Sequence, residues 1–269
     1  MAKLEEVLAS IGQDDRRHIV SLSGGKDSTA LAIYLRTKYP QIPAEYVFCD
    51  TGAELPETYE YLERLEALLG APIARVNAMG ILGVREGRDR NPFDIYLNEV
   101  FGGFLPSPRS RWCTRALKIE PFEHYVGNSN AYSYIGIRSD ENREGYVARK
   151  PPVLSQKANI EPVYPLKDDG LQLADVNRIL EESGLGLPEY YKWRSRSGCY
   201  FCFYQQVGEW QGLKEMHPDL FERAAAYEKT ESDRPFTWVN GKSIRDVAAQ
   251  PRRTPVDPNE ADGCAICHL

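Results

Sequence analysis

The feature that most constrains this chain is SGGKDS (23–28), a glycine-rich turn set between the apolar run HIVSLS (18–23) and a helix-like repeat. A strand that feeds such a turn into a helix start aims several backbone N–H groups and the positive helix end at one point, which makes a preformed anion site. Gly24 and Gly25 are expected to let backbone approach a phosphate closely, Lys26 to add a charge, and Ser23 and Ser28 to add hydroxyl donors. The spacing is not that of G-x-x-x-x-G-K-[ST], so a grip on β- and γ-phosphates for γ-transfer is not expected. The bland alternative is a turn capped by Asp27.

Leu31, Tyr34, Leu35 and Lys38 then repeat at helical spacing, and EYVFCDTG (45–52) reads as a second strand ending in an acidic turn. Pro56 starts a helix whose Leu62, Leu65, Leu68 and Leu69 are expected to share a buried stripe, and Gly70 ends it. PIARV (72–76) and YSYIGI (132–137) supply two further strands. This rhythm predicts an α/β fold with parallel pairing and helices on both faces of the sheet. Residues 80–112 are rich in Gly, Pro and Arg and predict a long irregular connection over the active face. KPPVLSQKANIEPVYP (150–165) reads as a boundary, giving a nucleotide-binding domain over 1–165 and a Cys-rich C-terminal subdomain over 166–269, helical at 171–183 and 219–229.

With 42% hydrophobic and 27% charged residues the composition is that of an ordinary globular protein. No apolar run nears the ~18 residues that span a bilayer. MAKLEEVLASIGQDDRR lacks the basic-then-apolar order of a signal peptide, so a cytoplasmic location without a membrane partner is expected. The net charge of -6 argues against a broad nucleic-acid coat. Two local strips, RSRWCTR (109–115) and YYKWRSRSG (190–198), still interleave arginine with aromatic residues. They suit either stacking and phosphate contact or a solvated loop beside an anionic small molecule.

Six cysteines in a cytosolic chain do not suggest a disulfide framework, so their spacing carries the information. Cys49, inside YVFC, reads as a buried structural thiol. Cys199 and Cys202 form one CxxC and Cys264 and Cys267 another, enough for a tetrahedral zinc site. Trp193, Tyr200, Phe201, Phe203 and Tyr204 surround the first pair and read mostly as core, while His18, His124 and His217 read as structural.

SLSGGKDS resembles the PP-loop of the ATP pyrophosphatase superfamily, and VFCDTG (47–52) is similar to the second-strand motif of its phosphoadenylyl-sulfate (PAPS) reductase branch. WCTRALKIEPF (112–122) resembles that branch's cysteine-arginine-lysine segment, and YIGIRSDENR (134–143) its Gly-Ile-Arg-x-Asp-Glu signature. With YPLKDDG and GCYFC these matches run in order over residues 18–205. The resemblance implies a doubly wound, mostly parallel, adenine nucleotide alpha hydrolase-like fold, with ATP as the ligand and its α-phosphate region as the reactive part. Carried over by residue, it implies that Ser21, Ser23, Gly24, Gly25, Lys26, Asp27 and Ser28 cradle phosphate, with Asp50, Thr51 and Gly52 beside the nucleotide. Arg115, Lys118, Arg138 and Arg143 would bring positive charge to the polyphosphate or to a second anionic substrate. Lys26, Asp27, Arg115, Arg138 and the tail thiol Cys267 are the candidate catalytic residues. Asp27, Asp50, Asp140 and Glu141 are candidate Mg²⁺ ligands, although Asp140 and Glu141 suit an ion pair with Arg138 or Arg143 equally well.

Cys113 lies 86 residues before Cys199, a layout similar to assimilatory APS reductases, in which a cysteine pair and a distant CxxC hold a [4Fe-4S] cluster. Trp112 stands where the first cysteine of that pair would be. Cys113, Cys199, Cys202 and Cys264 are therefore the expected ligand set for a cluster, with zinc as the alternative; the fourth ligand could equally be Cys267, or that corner could stay open for sulfide. GCAICHL (263–269) is similar to the Glu-Cys-Gly-Leu-His tail of sulfonucleotide reductases. That gives Cys264 or Cys267 a role as sulfur carrier or redox nucleophile beside His268, against a plain pair of metal ligands.

The expected function is an ATP pyrophosphatase similar to DNA phosphorothioation proteins of the DndC and SspD kind. Such an enzyme adenylates a DNA backbone phosphate oxygen and takes sulfur from a cysteine desulfurase partner; a homodimer is compatible with it. The alternative is a PAPS or APS reductase whose tail thiolate releases sulfite. A nucleotide-sensing or DNA-binding module is the third reading.

Overall fold

The buried run HIVSL becomes the central strand of a five-stranded sheet in the computed structural model, which describes residues 2–83, 91–141, 157–230 and 236–254. The strands are β1 (Arg17–Leu22), β2 (Ala44–Cys49), β3 (Ile73–Val76), β4 (Ala131–Tyr134) and β5 (Ile160–Val163), all parallel in the order β3-β2-β1-β4-β5. Residues alternate strictly between faces, as a period of two requires. Val20, Leu22, Tyr46, Phe48, Tyr132, Tyr134 and Val163 face one cluster, where α1 (Leu4–Ser10), α2 (Lys26–Lys38), α3 (Pro56–Leu69) and the helix Leu173–Glu182 cover them. Ile19, Val47, Cys49, Ala131 and Ile160 face the other cluster, under Phe122 and Val126 of the helix Glu120–Val126. The predicted α/β fold with both faces covered is what forms.

The chain leaves β1 toward β2 and β3, then returns to β4 on the opposite side of β1. That reversal opens a crevice at the carboxyl ends of β1 and β4, the position where open α/β sheets bind ligands. SGGKDS follows β1 and GIRSDE follows β4, so both motifs reach this crevice.

Several expectations are corrected. In α3, opened by Pro56 and closed by Gly70 in the left-handed region (φ 61°), Leu62, Leu65 and Leu69 are buried, but Leu68 is 44% exposed. It sits beyond the edge of the stripe. Residues 80–112 are not irregular throughout: Asn91 accepts the Asp94 N–H at 2.8 Å and Pro92 occupies the first turn of a helix, Pro92–Ile95. This helix continues as a wide π turn, Tyr96–Val100, and buries Phe93, Ile95, Tyr96 and Leu97. The stretch read as a boundary contains β5. Helices Val207–Met216 and Ile244–Ala248 were not anticipated.

Packing runs across residue 165. Leu166, Val176, Leu180 and Leu185 belong to the sheet cluster, and Phe93, Trp112 and Leu117 share a second cluster with Tyr190, Trp193, Tyr200, Trp210 and Trp238. Among the described residues no helix is long and apolar enough to cross a membrane.

Candidate nucleotide and thiol site

The turn after β1 is internally braced. The Ser23 N–H donates to Ser28 Oγ at 3.1 Å, the two serine hydroxyls are 3.0 Å apart, and the Gly25 N–H donates to Ser23 Oγ at 3.3 Å. Gly24 has φ 70°, and a Cβ there would lie 2.6 Å from Thr58 Cγ2 of α3. A Cβ on Gly25 would lie 2.6 Å from Ser197 Oγ. Both glycines are thus required by neighbouring side chains, a reason the sequence did not disclose. Gly136 has a similar role after β4: a Cβ there would meet Asp27 O at 2.9 Å. Its absence lets the two motif-bearing segments touch backbone to backbone.

Arg138 crosses that contact and is 3% exposed. Its Nη1 lies 2.7 Å from Asp27 Oδ1 and 3.3 Å from Glu141 Oε1, and its Nε lies 2.9 Å from Asp140 Oδ1. Burial alone would lower the Arg138 pKa, but Asp27, Glu141 and Asp140 outweigh it and raise the value. Arg138 therefore neutralises carboxylates, where the resemblance gave it to the polyphosphate, and three of the four candidate Mg²⁺ ligands are its partners. The fourth, Asp50, accepts from the Gly52 N–H and the Tyr59 hydroxyl, both at 2.8 Å. These carboxylates do not form a Mg²⁺ cage in this arrangement, and among the described residues no group of three His, Cys, Asp or Glu gathers closely enough to hold one metal ion. Arg115 stands apart, 69% exposed and paired with Glu120 at 3.1 Å. Ser21 is buried within β1. Arg143, Cys264, Cys267 and His268 lie outside the described residues.

Sequence reasoning missed the segment that closes over the turn. Tyr190 donates its hydroxyl to Gly24 O at 2.7 Å, the Lys26 N–H donates to the Tyr191 hydroxyl at 3.2 Å, and Ser197 Oγ donates to Ser23 Oγ at 3.4 Å. The Lys26 ammonium lies 5.4 Å from the Tyr191 ring centroid. Burial raises the pKa of both tyrosines, so both hydroxyls stay protonated. Within the same segment Arg194, 1% exposed, donates to Gly198 O at 2.9 Å and to Cys199 O at 2.8 Å. Ser195 is fixed by Glu209 through its N–H at 2.8 Å and its hydroxyl at 2.7 Å. Most of the basic strip YYKWRSRSG is thereby internal scaffold. Its available signal was the pair of aromatic residues followed by serines immediately before a CxxC.

The strap ends at a cavity of about 40 Å³ lined by Thr51, Cys113, Lys118, Cys199, Cys202 and Tyr204 among others. Three of the four expected metal-ligating cysteines therefore meet. Cys199 Sγ lies 3.3 Å from Thr51 Oγ1 and 3.8 Å from Glu54 Oε1, and Thr51 donates to Glu54 at 2.9 Å. Burial pushes the Cys113 thiol up to about 11 and the Cys199 thiol well above its ordinary range, while Lys118 pulls both down. Without a bound cation both stay protonated; a thiophilic centre would deprotonate them. Three thiols lining a largely apolar, partly open pocket are donors of the soft kind that an iron–sulfur centre takes, although in this structure they are not drawn together closely enough to ligate one metal ion. Cys49 belongs elsewhere: it is buried on the opposite sheet face, bonds Lys118 O at 3.4 Å and is pushed up to about 12 by burial. Trp112, which replaces a cysteine, stacks on Phe101 and Phe93 and donates to Phe104 O at 3.0 Å.

Residues 17–210, well over half of the chain, match the phosphoadenosine phosphosulfate reductase domain family. The chain belongs to this family. As a phosphoadenosine phosphosulfate reductase domain protein it is 26% identical over 211 residues to an uncharacterized protein of Methanocaldococcus jannaschii, covering 76% of this chain and 40% of the relative. It is 30% identical over 204 residues to an uncharacterized nin region protein of Escherichia phage lambda, covering 69% of this chain and 65% of the relative. The chain thus spans less than half the length of its Methanocaldococcus relatives, 40% and 45%. Among solved structures it is similar to phosphoadenylyl-sulfate reductase from Candida auris (14% identity, TM-score 0.48, 71% of this chain and 84% of the other). It is also similar to the U34-tRNA thiolase NcsA of Methanococcus maripaludis with its [4Fe-4S] cluster (14%, TM-score 0.40, 91% and 86%). The family read from the motifs is confirmed.

Proposed function

We propose that the protein is an ATP pyrophosphatase that adenylates an acceptor oxygen so that sulfur can replace it. The acceptor oxygen attacks the α-phosphorus of ATP, the bond from that phosphorus to the bridging oxygen breaks, and pyrophosphate leaves with the electron pair. A sulfur nucleophile then displaces AMP from the adenylated acceptor. The observation that carries this reading is the strap: Tyr190, Tyr191 and Ser197 bond the anion turn, and the same segment delivers Cys199 and Cys202 to the thiol cavity. Nucleotide site and sulfur site are one hydrogen-bonded unit.

In this reading the Ser23 and Ser28 hydroxyls and the first N–H groups of α2 stabilise charge growing on the leaving pyrophosphate. The Tyr191 hydroxyl occupies the Lys26 N–H where a phosphate oxygen would go, and yields to it. Mg²⁺ enters as the ion that accompanies ATP. Cys113, Cys199 and Cys202 would hold a [4Fe-4S] cluster, with Cys264 as the fourth ligand proposed from sequence and zinc as the alternative occupant. Were that fourth corner left without a thiolate, a cluster bound there would supply an iron able to hold sulfide. The acceptor we favour is a DNA backbone phosphate, with sulfur from a cysteine desulfurase in the cytoplasm. The test is pyrophosphate release from ATP, expected to depend on an acceptor and to vanish in Lys26→Ala. Sulfite release from PAPS without ATP would instead establish a sulfonucleotide reductase.

A further inference from the structure

We infer that Ser197, carried by the strap, is a phosphate-binding residue whose hydroxyl donates to the same phosphate group that the turn after β1 receives. The buried Ser197 Oγ donates to Ser23 Oγ at 3.4 Å. It also lies 2.6 Å from the point that a Cβ on Gly25 would occupy, so the missing side chain at Gly25 is what admits this hydroxyl to the turn. Ser23 and Ser28 are themselves buried, which puts Ser197 on a par with the turn's own donors.

The proton inventory of the turn leaves the Ser197 hydroxyl available. Ser28 Oγ donates to Gly25 O at 3.3 Å, so the proton between the Ser23 and Ser28 hydroxyls, 3.0 Å apart, is that of Ser23. Ser23 Oγ in turn accepts from the Gly25 N–H at 3.3 Å and from Ser197. The hydroxyl protons therefore run in one direction, from Ser197 to Ser23 to Ser28 to the Gly25 carbonyl. At 3.4 Å the first link is the longest of the three, well beyond the ~2.7–2.8 Å usual for an O–H donor and an oxygen acceptor. A phosphate oxygen is a charged acceptor, which a hydroxyl bonds at shorter distance and about twice as strongly. Ser23 keeps the Gly25 N–H when Ser197 turns to that oxygen.

The strap's two polar contacts with the turn thus differ in sign. The Tyr191 hydroxyl accepts from the Lys26 N–H and competes with a phosphate, whereas Ser197 brings a proton and adds to the site. The loop that carries Ser197 is braced on both sides. Glu209 holds the Ser195 N–H and hydroxyl, and Arg194 grips Gly198 O and Cys199 O. A donor fixed in advance loses little freedom when the anion arrives.

This deepens the proposed function and rests on its reading that the turn holds the phosphates of a nucleotide. The test is equilibrium dialysis of the full chain with ATP, with inorganic pyrophosphate and adenosine each measured as competitor. Ser197→Ala should weaken ATP and pyrophosphate binding roughly ten- to hundredfold, the worth of one hydrogen bond to a charged group, and leave adenosine within about twofold of wild type. A strap that had merely lost its packing would weaken all three. Ser197→Cys, close in size and a weak donor, should fall between wild type and Ser197→Ala for ATP and pyrophosphate, and it serves where the alanine variant does not fold. Wild-type affinity for ATP and pyrophosphate in Ser197→Ala, or a loss for adenosine equal to that for ATP in both variants, overturns the role of Ser197 and leaves the nucleotide reading standing. A wild type that binds neither ATP nor pyrophosphate defeats the nucleotide reading and this inference with it.

Discussion

Arg138 Nη1 lies 2.7 Å from Asp27 Oδ1 with both side chains buried, which ties the segment after β4 to the first turn of α2 at the point where strand order reverses. Because Asp140 and Glu141 share the same guanidinium, its removal strands negative charge in a confined space. Arg138→Met should cost about 3–5 kcal/mol of stability, the penalty for breaking a buried pair by removing one partner. Asp27→Asn should cost less, since two carboxylates remain on the arginine. Urea unfolding of both variants measures this; equal losses would show that Asp140 and Glu141 contribute nothing.

Gly136→Ala places a Cβ 2.9 Å from Asp27 O, where backbone on both sides resists movement. Overpacking of this kind costs about 1–3 kcal/mol. Gly80, where an added Cβ would meet nothing within 4 Å, is the control, and Gly80→Ala should be neutral or slightly stabilising. A thermal melt in which both variants behave alike would remove the argument for close approach.

The two strap tyrosines should separate. Tyr190→Phe leaves the Gly24 carbonyl without its 2.7 Å donor and should lose about 1–3 kcal/mol of stability. Tyr191→Phe removes the hydroxyl that competes for the Lys26 N–H, so ATP affinity should rise roughly two- to tenfold, the equivalent of one neutral hydrogen bond. Weaker ATP binding in Tyr191→Phe would mean that the hydroxyl supports the nucleotide.

Much of this architecture was legible because buried parallel strands leave unbroken apolar runs, as in IVSL and YVFC, and because Pro56 and Gly70 punctuate α3. β5 escaped notice since it is four residues long and carries Pro162, a residue that an edge strand tolerates and a sequence reader takes for a linker. Helix Val207–Met216 contains two glycines. At Gly212 a Cβ would meet Trp193 Cε3 at 2.7 Å, so packing, not propensity, decides that position. Cys113, Cys199 and Cys202, which spacing grouped, line one cavity. The pairing of Arg138 with Asp27 and of Tyr190 with Gly24 joins residues 111 and 166 positions apart, and no local pattern encodes it.

His18 gives a pH dependence. It is buried with Nδ1 2.7 Å from the Tyr134 hydroxyl, and burial lowers its pKa below the usual 6.5. The unfolded chain therefore takes up the proton first, and stability should fall as pH drops from about 6.5 toward the depressed folded value, at up to ~1.4 kcal/mol per pH unit, and be flat above about 6.5. Denaturation midpoints at pH 7.5 and 5.5 test this, with the difference expected to shrink in His18→Phe. An unchanged difference would assign the dependence to other groups.

The central claim is that the turn after β1 holds ATP for cleavage between its α- and β-phosphates. Phosphorus NMR of the products formed from ATP, with acceptor and sulfur source present, tests it most directly. AMP and pyrophosphate in equal amounts, absent in Lys26→Ala, are predicted; ADP with inorganic phosphate, or an unchanged rate in Lys26→Ala, would contradict it.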